Sequence, residues 1–121
     1  MLTSGAVEAL EAHASEEQKE KYLHQIIAGN WSATMNLTEP QAGSDVGAVK
    51  TKAEPQPDGT YKIYGTKIYI TYGDHNMTEN IIHLVFKRKE LLMILVGYYT
   101  KRLLQSHLVK FEPVALCKHC N

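Results

Sequence analysis

The spacing of apolar residues changes from a helical period to a strand period near Gly29, and this change constrains the fold more than any other feature of the chain. Val7, Leu10 and Ala14 recur at three- and four-residue intervals, and a second stripe with the helical period runs through residues 22–27. From residue 31 to residue 37, apolar and polar side chains alternate instead. Gly29 adopts a positive φ without strain, which is typical of a helix end. The pattern predicts helices over residues 3–29 followed by strands, which is an α+β fold.

A second helix is predicted to begin at Ser15 or Glu16. Ser15 stands in the N-cap position, and Gln18 three residues later completes a capping box. Glu16 and Glu17 fall in the first turn, where the helix dipole favours negative charge. Two short amphipathic helices cannot bury their apolar faces alone, so we expect them to pack on another surface.

Strands are predicted over residues 31–37, 49–53, 60–64, 67–71 and 80–85. The Pro-Asp-Gly sequence at residues 57–59 predicts a tight turn, so the second and third strands should form a hairpin. In an extended segment 67–71, Tyr69 and Thr71 would point to one face and the two isoleucines between and beside them to the other. An aromatic ring beside a hydroxyl suits a planar, hydrogen-bonding ligand such as a flavin or a nucleobase.

Composition excludes several classes of protein. The 121 residues, 44% of them hydrophobic, suffice for one modest domain with a core. Thirteen basic and thirteen acidic residues cancel, so there is no electrostatic case for a nucleic acid or an acidic membrane as the main partner. Two cysteines cannot staple a secreted domain of this size, and no secretory leader follows Met1. We expect a cytoplasmic protein.

The charge balance reverses near Phe86. There are 6 basic and 11 acidic side chains up to Val85, a balance of −5, and 7 basic and 2 acidic ones beyond it, a balance of +5. The apolar run at residues 91–99 is shorter than the roughly 20 residues that a membrane span needs. It is compatible with a buried strand, a helix start or an aggregation-prone segment.

The loop at residues 37–45 combines a proline, a glycine and small polar residues. These residue types are those of an ordinary turn, and that is the simplest interpretation. The loop is also suited to hold an anion, because Gly43 lets a ligand approach the backbone and the hydroxyls of Thr38 and Ser44 add donors without charge.

Residues 35–47, which read Met-Asn-Leu-Thr-Glu-Pro-Gln-Ala-Gly-Ser-Asp-Val-Gly, resemble the signature of the FAD-dependent acyl-CoA dehydrogenases. Residues 65–71 are similar to the second flavin-contacting strand of that family, and the resemblance covers most of the chain from about residue 3 to Val85. It implies three parts. Residues 1–30 would be the end of a helical N-terminal domain, residues 31–85 an incomplete antiparallel β-barrel or sandwich-like middle domain, and residues 86–121 a divergent basic and apolar tail.

The resemblance also implies a set of residues that bind FAD, with Ser44 facing the acyl-CoA substrate as well. Thr38 and the backbone near it would lie along the pyrimidine side of the flavin, with Gly43 and Ser44 at the pyrophosphate. Tyr69 would stack near the ring, and Thr71 would hydrogen-bond its N5 or O4 edge. The full implied set is Met35, Leu37, Thr38, Gly43, Ser44, Tyr69, Ile70 and Thr71.

The implied activity is the α,β-dehydrogenation of an acyl-CoA thioester, with the hydride passing to flavin N5, in a protein that is a homo-oligomer in the full-length family. The family's catalytic base is a glutamate of a C-terminal helical domain, and no position of this chain matches it. We therefore expect this chain alone to be inactive. A shifted reading frame or an early stop near Phe86 would explain the tail.

Two alternatives remain open. The chain is also compatible with a non-catalytic remnant or interaction module, in which Cys117 and Cys120, with His107 nearby, offer half of a zinc site. Flavin monooxygenases and nitroalkane oxidases resemble the same family in the middle domain, and a fragment of one of them would read similarly.

Overall fold

Two helices occupy the first part of the chain. The computed structural model describes residues 1–57 and 61–88, together with the backbone of residues 90–98 and 109–110. Helix α1 spans Leu2–His13. Helix α2 consists of an α-helical turn at Glu16–Gln18, a π-helical stretch at Lys19–Leu23 and a final α-helical turn at His24–Ile27. Its last helical residue is Ile27, and Gly29, two residues later, has a φ of 79°, the positive value predicted for a helix end.

The start of α2 is fixed by the predicted capping box. The Gln18 backbone N–H donates to Ser15 Oγ at 3.3 Å, and the Ser15 backbone N–H donates to Gln18 Oε1 at 3.0 Å. Each side chain thereby satisfies a backbone donor that the first helical turn cannot use. The predicted break at Ser15 between two helices is confirmed.

Six strands lie in the described residues: β1 (Trp31–Asn36), β2 (Lys52–Pro55), β3 (Tyr61–Tyr64), β4 (Asn80–Lys87), β5 (Glu90–Tyr98) and β6 (Val109–Lys110). They form two sheets, one in the order β1-β4-β5 and one in the order β2-β3-β6. No closed barrel forms among them. The predicted α+β class is confirmed.

Strand direction differs from the expectation at one pair. β2 and β3 form the predicted antiparallel hairpin, and β4 and β5 are also antiparallel. β1 and β4, in contrast, run parallel, with Ala33 paired to Ile82 and Met35 to Leu84. The reason lies in the path of the chain. The β2–β3 hairpin, which connects β1 to β4, pairs in the other sheet, and this long crossover lets β4 enter the first sheet in the same direction as β1.

The core lies between the helices and one face of the first sheet. Its sheet side is formed by Ala33, Ile82 and Leu84, which share a face because paired residues of parallel strands point the same way. The helices contribute Ala6, Leu10, Tyr22 and Ile26. The expectation that these helices need a partner surface is confirmed.

Some strand boundaries differ from those predicted. β2 begins at Lys52, and the preceding Val49 and Thr51 are buried outside any strand. The backbone of Glu90–Tyr98 is a strand, which excludes a helix start among the three interpretations of the apolar run. The predicted strand at residues 67–71 does not form. None of the helices in the described ranges has the length and apolar character that crossing a bilayer requires.

Replacing Ser15 by Ala removes the acceptor of the Gln18 N–H and should lower the unfolding free energy by about 1 kcal/mol. Urea denaturation followed by circular dichroism measures the change. Ser4→Ala is the matched control, because Ser4 is exposed within α1 and caps nothing. Equal stability of both variants would contradict a structural role for the capping box.

Candidate functional site

The loop after β1 is folded around the buried carboxylate of Glu39, which is 3% exposed. Backbone N–H groups of Lys50 and Thr51 donate to it at 2.8 and 3.0 Å. The Thr51 hydroxyl and the side-chain amide of Gln41 donate as well, and the ammonium of Lys67 lies 2.9 Å from Oε1. Donors from three stretches of chain therefore meet at one carboxylate.

These contacts decide the charge of Glu39. Burial alone would raise the pKa of its carboxyl group, because a low-dielectric surrounding disfavours the ionised form. The hydrogen bonds from the Thr51 side chain, the Lys50 backbone, Lys67 and the Thr51 backbone outweigh burial and lower the pKa from 4.5 to about 2. Glu39 is ionised at neutral pH.

Segment 67–71 is held against the end of β1 by polar contacts. The ammonium of Lys67 donates to the Leu37 carbonyl at 2.9 Å, and the Ile68 N–H donates to the Thr38 carbonyl at 3.0 Å. The buried Thr34 hydroxyl donates to the Thr71 carbonyl at 2.6 Å. Segments 34–38 and 67–71, both singled out in the sequence, are thus adjacent in the fold.

The local conformation of segment 67–71 corrects the strand prediction. Tyr69 and Tyr72 have φ values of 57° and 59°, in the left-handed region, and the Gly73 N–H donates to the Ile70 carbonyl at 3.4 Å to close a turn. The segment is held by the hydrogen bonds of Lys67, Ile68 and Thr71, and not by the backbone hydrogen bonds of a β-ladder. The predicted strand is therefore wrong, and the argument from alternation that Tyr69 and Thr71 share one face loses its premise of an extended segment.

The candidate residues divide between the two segments and the intervening loop. Thr38 and Ile70 are half-buried, whereas the other six are exposed, and the Tyr69 ring is 88% exposed. Gly43 and Ser44 follow a tight turn in which Glu39 and Ala42 exchange two backbone hydrogen bonds of 3.0 Å. A side chain added at Gly43 would meet no atom within 4 Å, so its backbone is open to a ligand. The exposed members are Met35, Leu37, Gly43, Ser44, Tyr69 and Thr71.

Glu39 and Lys67 were not among the residues that the sequence singled out. One signal was available, since Glu39 is the sole charged residue of segment 36–44 and Lys67 the sole one of segment 63–73. A single charge of each sign in two otherwise uncharged segments favours their pairing, because a buried charge requires a partner.

A second polar contact holds the loop that precedes β4. Nε2 of His75 lies 3.0 Å from Ser32 Oγ, and the Met77 backbone N–H donates to Nδ1 of the same ring at 3.2 Å. Because Nδ1 accepts, the proton sits on Nε2 and His75 donates to the serine hydroxyl. This pair fastens the loop to β1, and its donor direction is opposite to that of a serine activated by a histidine base.

His83 is a residue of strand β4. Its Nδ1 lies 3.2 Å from the side-chain amide nitrogen of Asn36 on the neighbouring strand. Burial lowers the pKa of the His83 ring, and the negative charge of Asp74 offsets part of that effect. No group of three or more potential metal ligands occurs among the described residues. Cys117, Cys120 and His107 lie outside the described residues.

An open groove of about 410 Å³ lies beside Thr51, which also donates to Glu39. The backbone N–H of Arg88 donates to the Thr51 carbonyl at 3.0 Å at this groove. None of the candidate residues lines it. Its walls are formed by Thr51, Lys52, Ala53, Glu54, Lys87 and Arg88.

Comparison with known proteins identifies the family. A family model described as the acyl-CoA dehydrogenase middle domain matches residues 34–98, which include both segments of the candidate site. The 3-methylmercaptopropionyl-CoA dehydrogenase of Ruegeria pomeroyi is 58% identical over 88 residues, which are 73% of this chain and 15% of that protein. The chain belongs to the acyl-CoA dehydrogenase family and spans about a seventh of this relative's length.

Solved structures agree with this assignment. The butyryl-CoA dehydrogenase of Megasphaera elsdenii superimposes with a TM-score of 0.61 at 27% identity, over 80% of this chain and 26% of that chain. The FAD complex of PigA superimposes with a TM-score of 0.62 at 28% identity, over 78% of this chain and 25% of that chain. The fold of this chain is therefore found as about a quarter of these larger proteins.

The lowered pKa of Glu39 predicts a loss of stability in acid. Its pKa is about 2 in the folded chain, below the ordinary value of 4.5. The ionised carboxylate thus contributes about 3 kcal/mol to the unfolding free energy at pH 7, and about 2 kcal/mol of this should be lost by pH 3.

Urea denaturation at several pH values tests this, with Glu39→Gln as the comparison. The variant should be less stable at pH 7. Its stability should also depend less steeply on pH below pH 4.5, because Glu39 no longer titrates, while the other carboxyl groups titrate in both proteins. Parallel pH profiles would show that Glu39 does not have the assigned pKa.

Gly65→Ala should disrupt the surroundings of Glu39. A Cβ at Gly65 would clash with Thr51 Oγ1 and would lie 2.9 Å from Thr51 Cβ. Because Cβ cannot move without the main chain, the backbone of Thr51 would have to shift. We expect the unfolding free energy to fall by roughly 2 kcal/mol in thermal denaturation, a typical cost of overpacking. Gly43→Ala is the control and should leave stability unchanged, because its Cβ would meet open space.

Proposed function

We propose that residues 34–71 form part of the FAD site of an acyl-CoA dehydrogenase. The observation that carries this proposal is the junction of segments 34–38 and 67–71, which are joined by contacts from Lys67, Ile68 and Thr34. The sequence resemblance assigns flavin contacts to these two segments. Their adjacency in the fold is what a single ring system would require.

The candidate residues have the chemistry to hold a flavin nucleotide. Thr38 and Thr71 supply hydroxyls for the polar edge of the ring, and the exposed apolar side chains supply surface against which a ring can exclude water. The open backbone at Gly43 and the hydroxyl of Ser44 suit a pyrophosphate, which accepts hydrogen bonds. These properties fit FAD.

In this proposal the chain binds and orients the reactants. FAD, when bound, supplies the capacity to accept a hydride from the acyl β-carbon. Thr38 and Thr71 hold the ring, Tyr69 and Ile70 cover it, and Met35 and Leu37 exclude water beside it. Ser44 contacts the acyl-CoA, which is the proposed substrate.

The α,β-dehydrogenation itself belongs to the larger protein. The resemblance assigns the catalytic base to a glutamate in a helical domain, and no position of this chain matches it. Residues 1–30 are proposed as the end of the helical domain and residues 31–85 as part of the middle domain. The tail proposed for residues 86–121 begins within the family match, which ends at residue 98.

Titration of the purified chain with FAD tests this function. The flavin should bind, with a shift of its visible absorption band, and Thr38→Val or Thr71→Val should each weaken binding roughly tenfold through the loss of a hydrogen bond. Thr66→Val is the matched control, because Thr66 is an exposed residue beside segment 67–71 and is outside the candidate set.

Two results would contradict the proposal. One is the absence of flavin binding by the unmodified chain, and the other is unchanged affinity in both variants at residues 38 and 71. A dye-reduction assay with octanoyl- or palmitoyl-CoA should show no turnover by the chain alone. Colourless protein that retains zinc after dialysis would favour an interaction module instead.

A further inference from the structure

Lys67 is a largely buried cation whose contacts converge on the backbone at Thr38. Its side chain is 9% exposed, and its ammonium lies 2.9 Å from both Glu39 Oε1 and the Leu37 carbonyl oxygen. Leu37 and Glu39 are the two residues that flank Thr38. The next residue, Ile68, donates its N–H to the carbonyl of Thr38 itself at 3.0 Å. Lys67 and Ile68 therefore hold three successive residues, which are residues 37, 38 and 39.

Glu39 does not depend on Lys67 for its hydrogen bonds. The backbone N–H groups of Lys50 and Thr51, the Thr51 hydroxyl and the Gln41 amide all donate to the same carboxylate. Both oxygens remain bonded when the ammonium is removed. A role limited to satisfying Glu39 would thus make Lys67 redundant. Within the part of the chain that the structure describes, Lys67 is the side chain that donates to the Leu37 carbonyl, and this bond is lost with the ammonium.

We propose that Lys67 is a positioning residue that sets how segment 67–71 lies against Thr38. By bridging the Glu39 carboxylate and the Leu37 carbonyl, it fixes the orientation of Thr38 and places Thr71 beside the end of β1. The inference rests on the proposed function for its consequence, which is that both threonines reach one flavin. The packing of the two segments is independent of any ligand.

Amide hydrogen exchange of Lys67→Met tests the positioning role without flavin. Met matches the length of the lysine stem and lacks the charge. We expect exchange at the Ile68 amide to accelerate roughly tenfold, which is the effect of losing a charge-assisted hydrogen bond. The reason is that the Lys67 bonds on either side of Thr38 no longer stabilise the Ile68 bond to the Thr38 carbonyl. The Lys50 and Thr51 amides, which are bonded to Glu39, should keep their protection.

The pattern of protection distinguishes positioning from charge neutralisation. If Lys67 serves only to neutralise Glu39, the Lys50, Thr51 and Ile68 amides lose protection together, and the proposal is overturned. Unchanged exchange at Ile68 overturns it as well. The Ile82 and Leu84 amides of the core report global unfolding.

If the methionine variant is globally unfolded, Lys67→Arg provides the second test. Arginine retains a cation but changes the length and shape of the bridge. Accelerated exchange at Ile68 alone would support the proposal, whereas equal acceleration at the three amides, or none at Ile68, would overturn it.

Visible circular dichroism of bound FAD then tests the consequence. The flavin signal should change in Lys67→Met, because Thr38 and Thr71 no longer hold the ring in one orientation. An unchanged signal would show that the bridge does not orient the ring. Failure of the unmodified chain to bind FAD would overturn the proposed function alone, since the exchange pattern needs no flavin.

Discussion

The carboxylate of Glu39 organises the loops that connect the two sheets. A charge this deeply buried is tolerated because backbone, hydroxyl and ammonium donors surround it, and those donors come from residues 41, 50, 51 and 67. These loop segments are thereby anchored at one carboxylate. Without the carboxylate, Lys67 would lose its charge partner, and the loop from Glu39 to Thr51 would lose its common acceptor.

This arrangement separates the groups that support the site from the groups that are available to a ligand. Glu39, Thr51 and Lys67 are inside, with their polar atoms occupied by one another. Six of the eight residues assigned to flavin by resemblance, among them Tyr69 and Ser44, are exposed. Binding sites are generally more accurate when the groups that contact the ligand are held by a second layer of buried contacts. In this chain, that second layer contains the ion pair of Glu39 and Lys67.

The sequence predicted the parts of the fold that depend on local pattern. The two helices, the capping box at Ser15 and the β2–β3 hairpin each follow from residues close together in the chain. Segment 67–71 was mispredicted because its alternation is that of a strand, whereas long-range contacts through Lys67 and Thr71 impose a turn with left-handed residues. The parallel pairing of β1 and β4 was likewise invisible, since period-two alternation carries no information on strand direction. For the site, the family signature named the candidate residues, whereas the ion pair of Glu39 and Lys67 was not predicted, although the isolated charges of their segments favour such a pair.

The parallel pairing of β1 and β4 has a consequence for how this family can diversify. The chain leaves the sheet after Asn36 and rejoins it at Asn80, alongside the strand that it left. All candidate residues after Met35 lie in this single connection between β1 and β4. Closing a longer connection costs little additional entropy, because the penalty grows only with the logarithm of its length. Insertions at its exposed stretches can therefore change the shape of this surface, while the helices and the first sheet stay as they are.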